Sequence, residues 1–146
     1  MKDETLRLRL LKMDTSKLKK YLQEEIFNPY IRARDLNRDY FRCIACSKQK
    51  SVVQMNAGHY FSAGKYDSLR FDERNVHGEC IACNNYSEDH LIQYAVNLIE
   101  KIGIDEYNDL CRLAGESRKT FHKWDKFELI EKCIHYKKKL NEIRNQ

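Results

Sequence analysis

Cys43-Ile44-Ala45-Cys46 and Cys80-Ile81-Ala82-Cys83 decide how this chain is read. Each is a Cys-x-x-Cys pair, and the thirty-three residues between them carry Gly58-His59-Tyr60 and Asn75-Val76-His77. Two pairs of thiolates fill the four tetrahedral positions of zinc, and all-sulfur coordination selects that ion over harder cations. The spacing therefore predicts one structural zinc site made by Cys43, Cys46, Cys80 and Cys83. Such a site would pin both ends of a loop that holds the densest cluster of catalytic-type side chains in the sequence.

Six cysteines in 146 residues also fit the disulfide framework of a small secreted domain. The opening Met1-Lys2-Asp3-Glu4-Thr5 is charged and lacks the apolar stretch of a secretory signal. A reducing cytoplasm is expected. A redox pair would need one Cys-x-x-Cys in a βαβ setting, whereas two stand here without that pattern. Cys111 and Cys133 fall in helical patterns and read as small buried hydrophobes. No apolar run approaches twenty residues, so no membrane partner is expected.

The length suits one compact domain with a small central core. A structural zinc site offsets a small core, contributing on the order of 10 kcal/mol to folding. Three segments are expected: a basic helical segment over 1–42, a zinc-stabilised module over 43–103 and a helical segment over 104–146.

Formal net charge is +5, and its placement is informative. Residues 1–42 hold 11 basic and 7 acidic side chains, residues 43–103 hold 6 and 7, and residues 104–146 hold 10 and 8. The basic excess sits in the flanks, as it would in a nucleic-acid protein whose outer helices grip phosphates. Lys17, Lys20, Arg34 and Lys138 are the flank candidates. Arg70 and Arg74 are candidates inside the loop, either as phosphate clamps or as partners of Asp72 and Glu73.

Apolar residues at Leu18, Tyr21, Leu22 and Ile26 predict a helix capped by Thr15 or Ser16 and interrupted at Asn28-Pro29. Asn28 as N-cap with Pro29 in the first turn would then start a second short helix running through Tyr40. Residues 1–13 read as a further helix or an arm. Val52–Met55 and His59–Phe61 read as two short extended stretches. Ser87 is expected to cap a helix that Gly103 stops, and Asp105 to cap a short helix from Ile104 to Leu113. Asp125 with Glu128, flanked by Trp124 and Leu129, forms a capping box with a hydrophobic staple at the start of the last helix.

Three stretches carry a resemblance: Asn56-Ala57-Gly58-His59-Tyr60, then Leu69-Arg70-Phe71-Asp72-Glu73-Arg74-Asn75-Val76-His77, then Cys80-Ile81-Ala82-Cys83-Asn84. Together with the helix ending at Ile102-Gly103 they resemble the NinG/Rap recombination proteins of bacteriophages. The similarity runs from about Phe27 to the C-terminus and is sharpest from Cys43 to Gly103. It implies an α+β fold in which an HNH-like ββα-metal module on a four-cysteine zinc site is flanked by N-terminal and C-terminal helices. It further implies a metal-dependent endonuclease that cuts branched DNA such as D-loops and Holliday junctions. A symmetric junction would favour a homodimer.

The chemistry accounts for these residue types. Phosphodiester hydrolysis needs a base for water and a cation for the charge that builds on phosphate and on the leaving oxygen. His59, with an ordinary pKa near 6.5, is the expected base. Asn75 would hold the strand that bears it, and Asn84 would offer an oxygen ligand to Mg2+ or Mn2+. Position 58, where many HNH-like nucleases place a metal ligand, is glycine. Asn56 is the nearest substitute, and His77 and Asp72 are reserve ligands. His90 reads as solvent-facing. The rival expectation is a zinc-stabilised DNA-binding accessory protein that does not cut.

Overall fold

A computed structural model of the chain describes residues 2–87 and 89–146. Expectations that fall on Met1 and Glu88 lie outside the described residues. The chain divides into two compact units, one made of the segment up to Arg34 with Lys123–Gln146, the other of Asp35–His122. Most of the first expected segment thus folds with the end of the last, from Lys123 on. The central unit reaches further on both sides than 43–103.

The helical unit begins with α1 (Lys2–Leu11) and α2 (Thr15–Tyr21). Asp14, rather than Thr15 or Ser16, caps α2, its carboxylate accepting the Lys17 N–H at 2.8 Å. A π-helical turn over Leu22–Phe27 leads directly into α3 (Asn28–Asp35), which stops short of Tyr40 because that residue opens a strand. The expected interruption at Asn28-Pro29 is therefore absent, and Asn28, at φ −61° and ψ −44°, is helical rather than a cap. Proline lacks an N–H and crowds the carbonyl one turn back. The widened turn just ahead of Pro29 relaxes that crowding and keeps the helix running.

The last helix, α7 (Lys126–Arg144), starts at Asp125, whose carboxylate receives the N–H groups of Phe127 and Glu128. Trp124 and Leu129 are both buried there, as the staple requires. Leu22, Ile26, Phe27, Ile130, Cys133 and Leu140 are almost fully buried, and the Phe27 and Tyr136 rings meet edge to face at 4.9 Å. Each such aliphatic or aromatic side chain contributes roughly 1.5–3 kcal/mol when buried.

The central unit opens with a short antiparallel ribbon, β1 (Tyr40–Arg42) and β2 (Gln49–Ser51), joined by the first cysteine knuckle. A 3-10 turn over Val52–Gln54 precedes β3 (Met55–His59), a single strand where two separate stretches were expected. The ribbon ends at Ser51 and the chain must reverse onto a different partner, so context overrides the strand preference of the two valines. β3 pairs antiparallel with β4 (Val76–Cys80), in a register that sets Met55 opposite Cys80 and His59 opposite Val76. Residues 60–75 form the loop between them.

α4 (Ile81–Tyr86) follows β4 immediately and carries the second knuckle. α5 (His90–Ile102) has Asp89, not Ser87, at its N-cap. Gly103, at φ 88°, ends α5 in a conformation that a side chain rarely adopts, as the sequence predicts. α6 runs Ile104–Ser117, longer than expected, with Gly103 at its cap and Asp105 within its first turn. Leu110 and Ala114 of α6 pack with Ile44, Leu69, Tyr94 and Leu98, which is why α6 belongs to this unit. Phe41 and Met55 pack beside Cys43 and Cys80 in a second cluster under the knuckles.

Candidate functional site

The four cysteines of the two knuckles converge, with every pair of sulfurs within 4.8 Å. Tetrahedral zinc at ordinary bond lengths needs sulfurs about 3.8 Å apart, so the donor set and its spacing fit the ion. The backbone is prepared for thiolates: Cys43 Sγ accepts the N–H of Cys46 at 3.5 Å and of Cys80 at 3.3 Å. Burial pushes the Cys43 thiol up to about 11, a cost that a divalent cation removes by replacing the protons. Asn97 of α5 braces the first knuckle, donating to the Ile44 carbonyl at 2.7 Å and to Ser47 Oγ at 2.9 Å. The Ile44 N–H donates to the Gly78 carbonyl at 3.0 Å, which ties that knuckle to β4.

His59 stands at the end of β3. Its Nε2 lies 3.0 Å from the Arg70 carbonyl, which can only accept, so the proton is on Nε2 and the lone pair on Nδ1. Burial is the chief reason the imidazole is held below 6.5; the bond to Arg70 opposes the shift and the Arg70 charge adds to it. Asn75, 0 % exposed, receives the Phe61 N–H at 2.8 Å and donates to the carbonyls of Phe61 at 2.9 Å and Leu69 at 3.2 Å. Its own carbonyl accepts the Tyr60 N–H at 2.9 Å. Tyr94 of α5 adds a bond from its hydroxyl to the Gly58 carbonyl at 2.6 Å. The end of β3 is thereby held on both sides of His59.

A cleft of 490 Å³ runs beside β3, walled by Ala57, His59, Lys65, Asn84, His90 and their neighbours. His59 and Asn84, twenty-five positions apart, thus share one space. Asn56 and His77 stand outside that wall. The pleat sends Asn56 and Gly58 to one face of β3 and Ala57 and His59 to the other. His77 is 2 % exposed, with Nε2 on the Arg74 carbonyl at 2.8 Å and Nδ1 3.9 Å from Asp35, a structural setting. Asp72 is engaged as well, accepting from the Arg74 backbone and guanidinium.

Arg70 and Arg74 are built into the unit itself. Arg70 Nε donates to Asp67 at 2.7 Å. Arg74 joins Asp72, Glu106 and Asp109 at 2.8–2.9 Å, and these bonds raise its pKa further. Of the two readings open for Arg74, the ion pair with Asp72 is present, and two carboxylates of α6 complete it. Lys17 and Lys20 on α2 and Lys138 on α7 are exposed, and Arg34 is half-buried in α3. All four belong to the helical unit.

Two residues in the cleft were passed over in the sequence. Lys65 is an exposed cation on the wall. His90, read as solvent-facing, instead bonds through Nδ1 to Glu79 Oε2 at 2.6 Å. Neither partner is marked in the sequence, because the burial of Glu79 exists only once β4 is folded.

Four cysteines placed to hold a metal ion, at the base of a strand, loop, strand and helix with a histidine-lined cleft beside them, define a small α+β metal-knuckle protein. The chain matches the family described as bacteriophage lambda NinG protein over residues 1–146, and it belongs to that family. It is 37 % identical over 122 residues to protein ninG of Salmonella phage P22, covering 84 % of this chain and 56 % of the relative. It is 36 % identical over 126 residues to protein ninG of Escherichia phage lambda, covering 84 % and 55 %. Protein ninG of Escherichia phage 933W is likewise 36 % identical over 126 residues, with 84 % and 56 % covered. The matched part thus spans about half the length of these relatives. No solved structure matches the chain.

Proposed function

We propose that this protein is a metal-dependent DNA endonuclease of the HNH-like kind, cutting branched recombination intermediates such as D-loops and Holliday junctions. The observation that carries the reading is the shared cleft of His59 and Asn84, with Nδ1 of His59 left proton-free by the bond from Nε2 to Arg70. A ring so fixed can take a proton from water at neutral pH. Asn75 keeps that ring in place by clasping the backbone just beyond it.

A divalent cation in the cleft would neutralise charge on the scissile phosphate. Asn84 would hold it through the carboxamide oxygen, and Lys65 would draw the phosphodiester toward the same wall. Gly58 and Asn84 together offer no anionic ligand, so phosphate itself would complete the binding. Lys17, Lys20, Arg34 and Lys138 of the helical unit would add further phosphate contacts, and a symmetric junction would be served by two copies.

The test is incubation of zinc-loaded protein with end-labelled four-way junctions, D-loops and linear duplex, each with Mg2+ or Mn2+. Cutting concentrated at the branch supports the reading. Salt-dependent binding without cutting under either ion would establish the accessory alternative.

A further inference from the structure

Glu79 is 0 % exposed, and burying a carboxylate is costly unless its oxygens find partners. Oε2 has one in His90 Nδ1 at 2.6 Å, but Oε1 has no hydrogen-bond partner. Oε1 lies where a side chain at position 58 would begin: a Cβ built on Gly58 would be 2.3 Å from it. A carboxylate from the neighbouring strand therefore fills the place that residue 58 leaves empty. It reaches the cleft through His90, whose ring lines the wall with His59 and Asn84.

A carboxylate that accepts the Nδ1–H of a neutral histidine leaves the lone pair on Nε2, the arrangement that orients and strengthens imidazole as a metal ligand. We propose that His90 is a ligand, through Nε2, for a divalent cation in the cleft, with Glu79 as the positioning residue that holds its ring. The assignment deepens the nuclease reading and rests on it: the pair would supply from β4 and α5 what Gly58 cannot. An imidazole beside the Asn84 carboxamide favours Mn2+ over Mg2+, since nitrogen donors suit transition ions.

The experiment uses full-length, zinc-loaded protein with isotope-labelled histidine and MnCl2 as the probe. Paramagnetic broadening of His90 ring signals at substoichiometric Mn2+ is expected, with a Mn2+ Kd raised by about 10- to 100-fold in Glu79→Gln and at least as much in His90→Ala. A merely structural ion pair would change the melting temperature without moving Mn2+ affinity. Zinc content and spectral dispersion report folding. If Glu79→Gln does not fold, His90→Ala, altered at the partly exposed start of a helix, carries the test.

Unbroadened His90 signals, or a Mn2+ Kd in His90→Ala within twofold of wild type, overturn the proposal. If wild type then still cuts DNA, the nuclease reading survives. Broadening at His90 in a protein that cuts no DNA supports the ligand assignment and defeats the nuclease reading instead.

Discussion

Asn75 and Phe61 are joined by a closed pair of hydrogen bonds, the Phe61 N–H entering the carboxamide oxygen at 2.8 Å and the carboxamide nitrogen returning to the Phe61 carbonyl at 2.9 Å. One buried amide thus fixes the first turn of the loop after His59 in both directions. Asn75→Ala leaves those backbone groups and the Leu69 carbonyl short of a partner inside the protein. Removing such buried bonds is expected to cost about 2–4 kcal/mol of stability. Urea unfolding of the zinc-loaded protein measures it, and a loss below about 0.5 kcal/mol would contradict the arrangement.

Gly58 cannot be exchanged without displacing Glu79, because an added Cβ would also stand 2.8 Å from the Glu79 Cβ. Gly58→Ala is expected to destabilise by about 1–3 kcal/mol, the range for overpacking. In a Glu79→Gly background, which removes the Cβ as well as the carboxylate, the same substitution should cost clearly less. A double-mutant cycle measures the difference, and simple additivity would show that the two positions do not meet.

The pH dependence follows from His59. Its pKa is held below 6.5, chiefly by burial, so the neutral, proton-accepting ring persists as pH falls to 6.5. Cleavage should stay on its plateau to that point and decline only as pH passes through the lower value of the folded protein. The stability contributed by the same shift is full above 6.5 and is lost as pH falls through the folded pKa. NMR titration of the ring alongside the rate profile checks both, and a midpoint at or above 6.5 would refute the assignment.

Lys65 and Arg74 should part company in DNA binding. Lys65 is exposed on the cleft wall, whereas Arg74 is held by Asp72, Glu106 and Asp109. Lys65→Ala is expected to lower the slope of log K against log salt by about 1, as loss of one phosphate contact does. Arg74→Ala should leave the slope unchanged and lower the melting temperature. Fluorescence anisotropy across a salt series separates them, and the reverse pattern would reassign the two residues.

The four-cysteine cluster was legible because its signal is a spacing: two Cys-x-x-Cys pairs brought together need no knowledge of what lies between. Asp125, Trp124 and Leu129 were legible because caps and staples are local. The run of α2 into α3 through Pro29 was not, since the π-helical turn that admits proline leaves no mark in residue type. Glu79 with His90 and Arg74 with Asp109 were hidden for a different reason. Each pair is made by tertiary folding across separate elements, and the members taken singly read as ordinary surface charges. The reach of the central unit to His122 was hidden likewise, because the fit of Leu110 and Ala114 against Tyr94 and Leu98 depends on how α5 and α6 pack.

The most direct test of the central claim is the single-turnover rate of junction cleavage in Mn2+ by zinc-loaded wild type and His59→Ala, each at saturating protein. The expected result is cutting by wild type and a rate at least about 100-fold lower in His59→Ala with junction affinity retained, the lower end of what a general base contributes. Equal rates in the two proteins, or no cutting by wild type while it holds both zinc and DNA, would contradict the account.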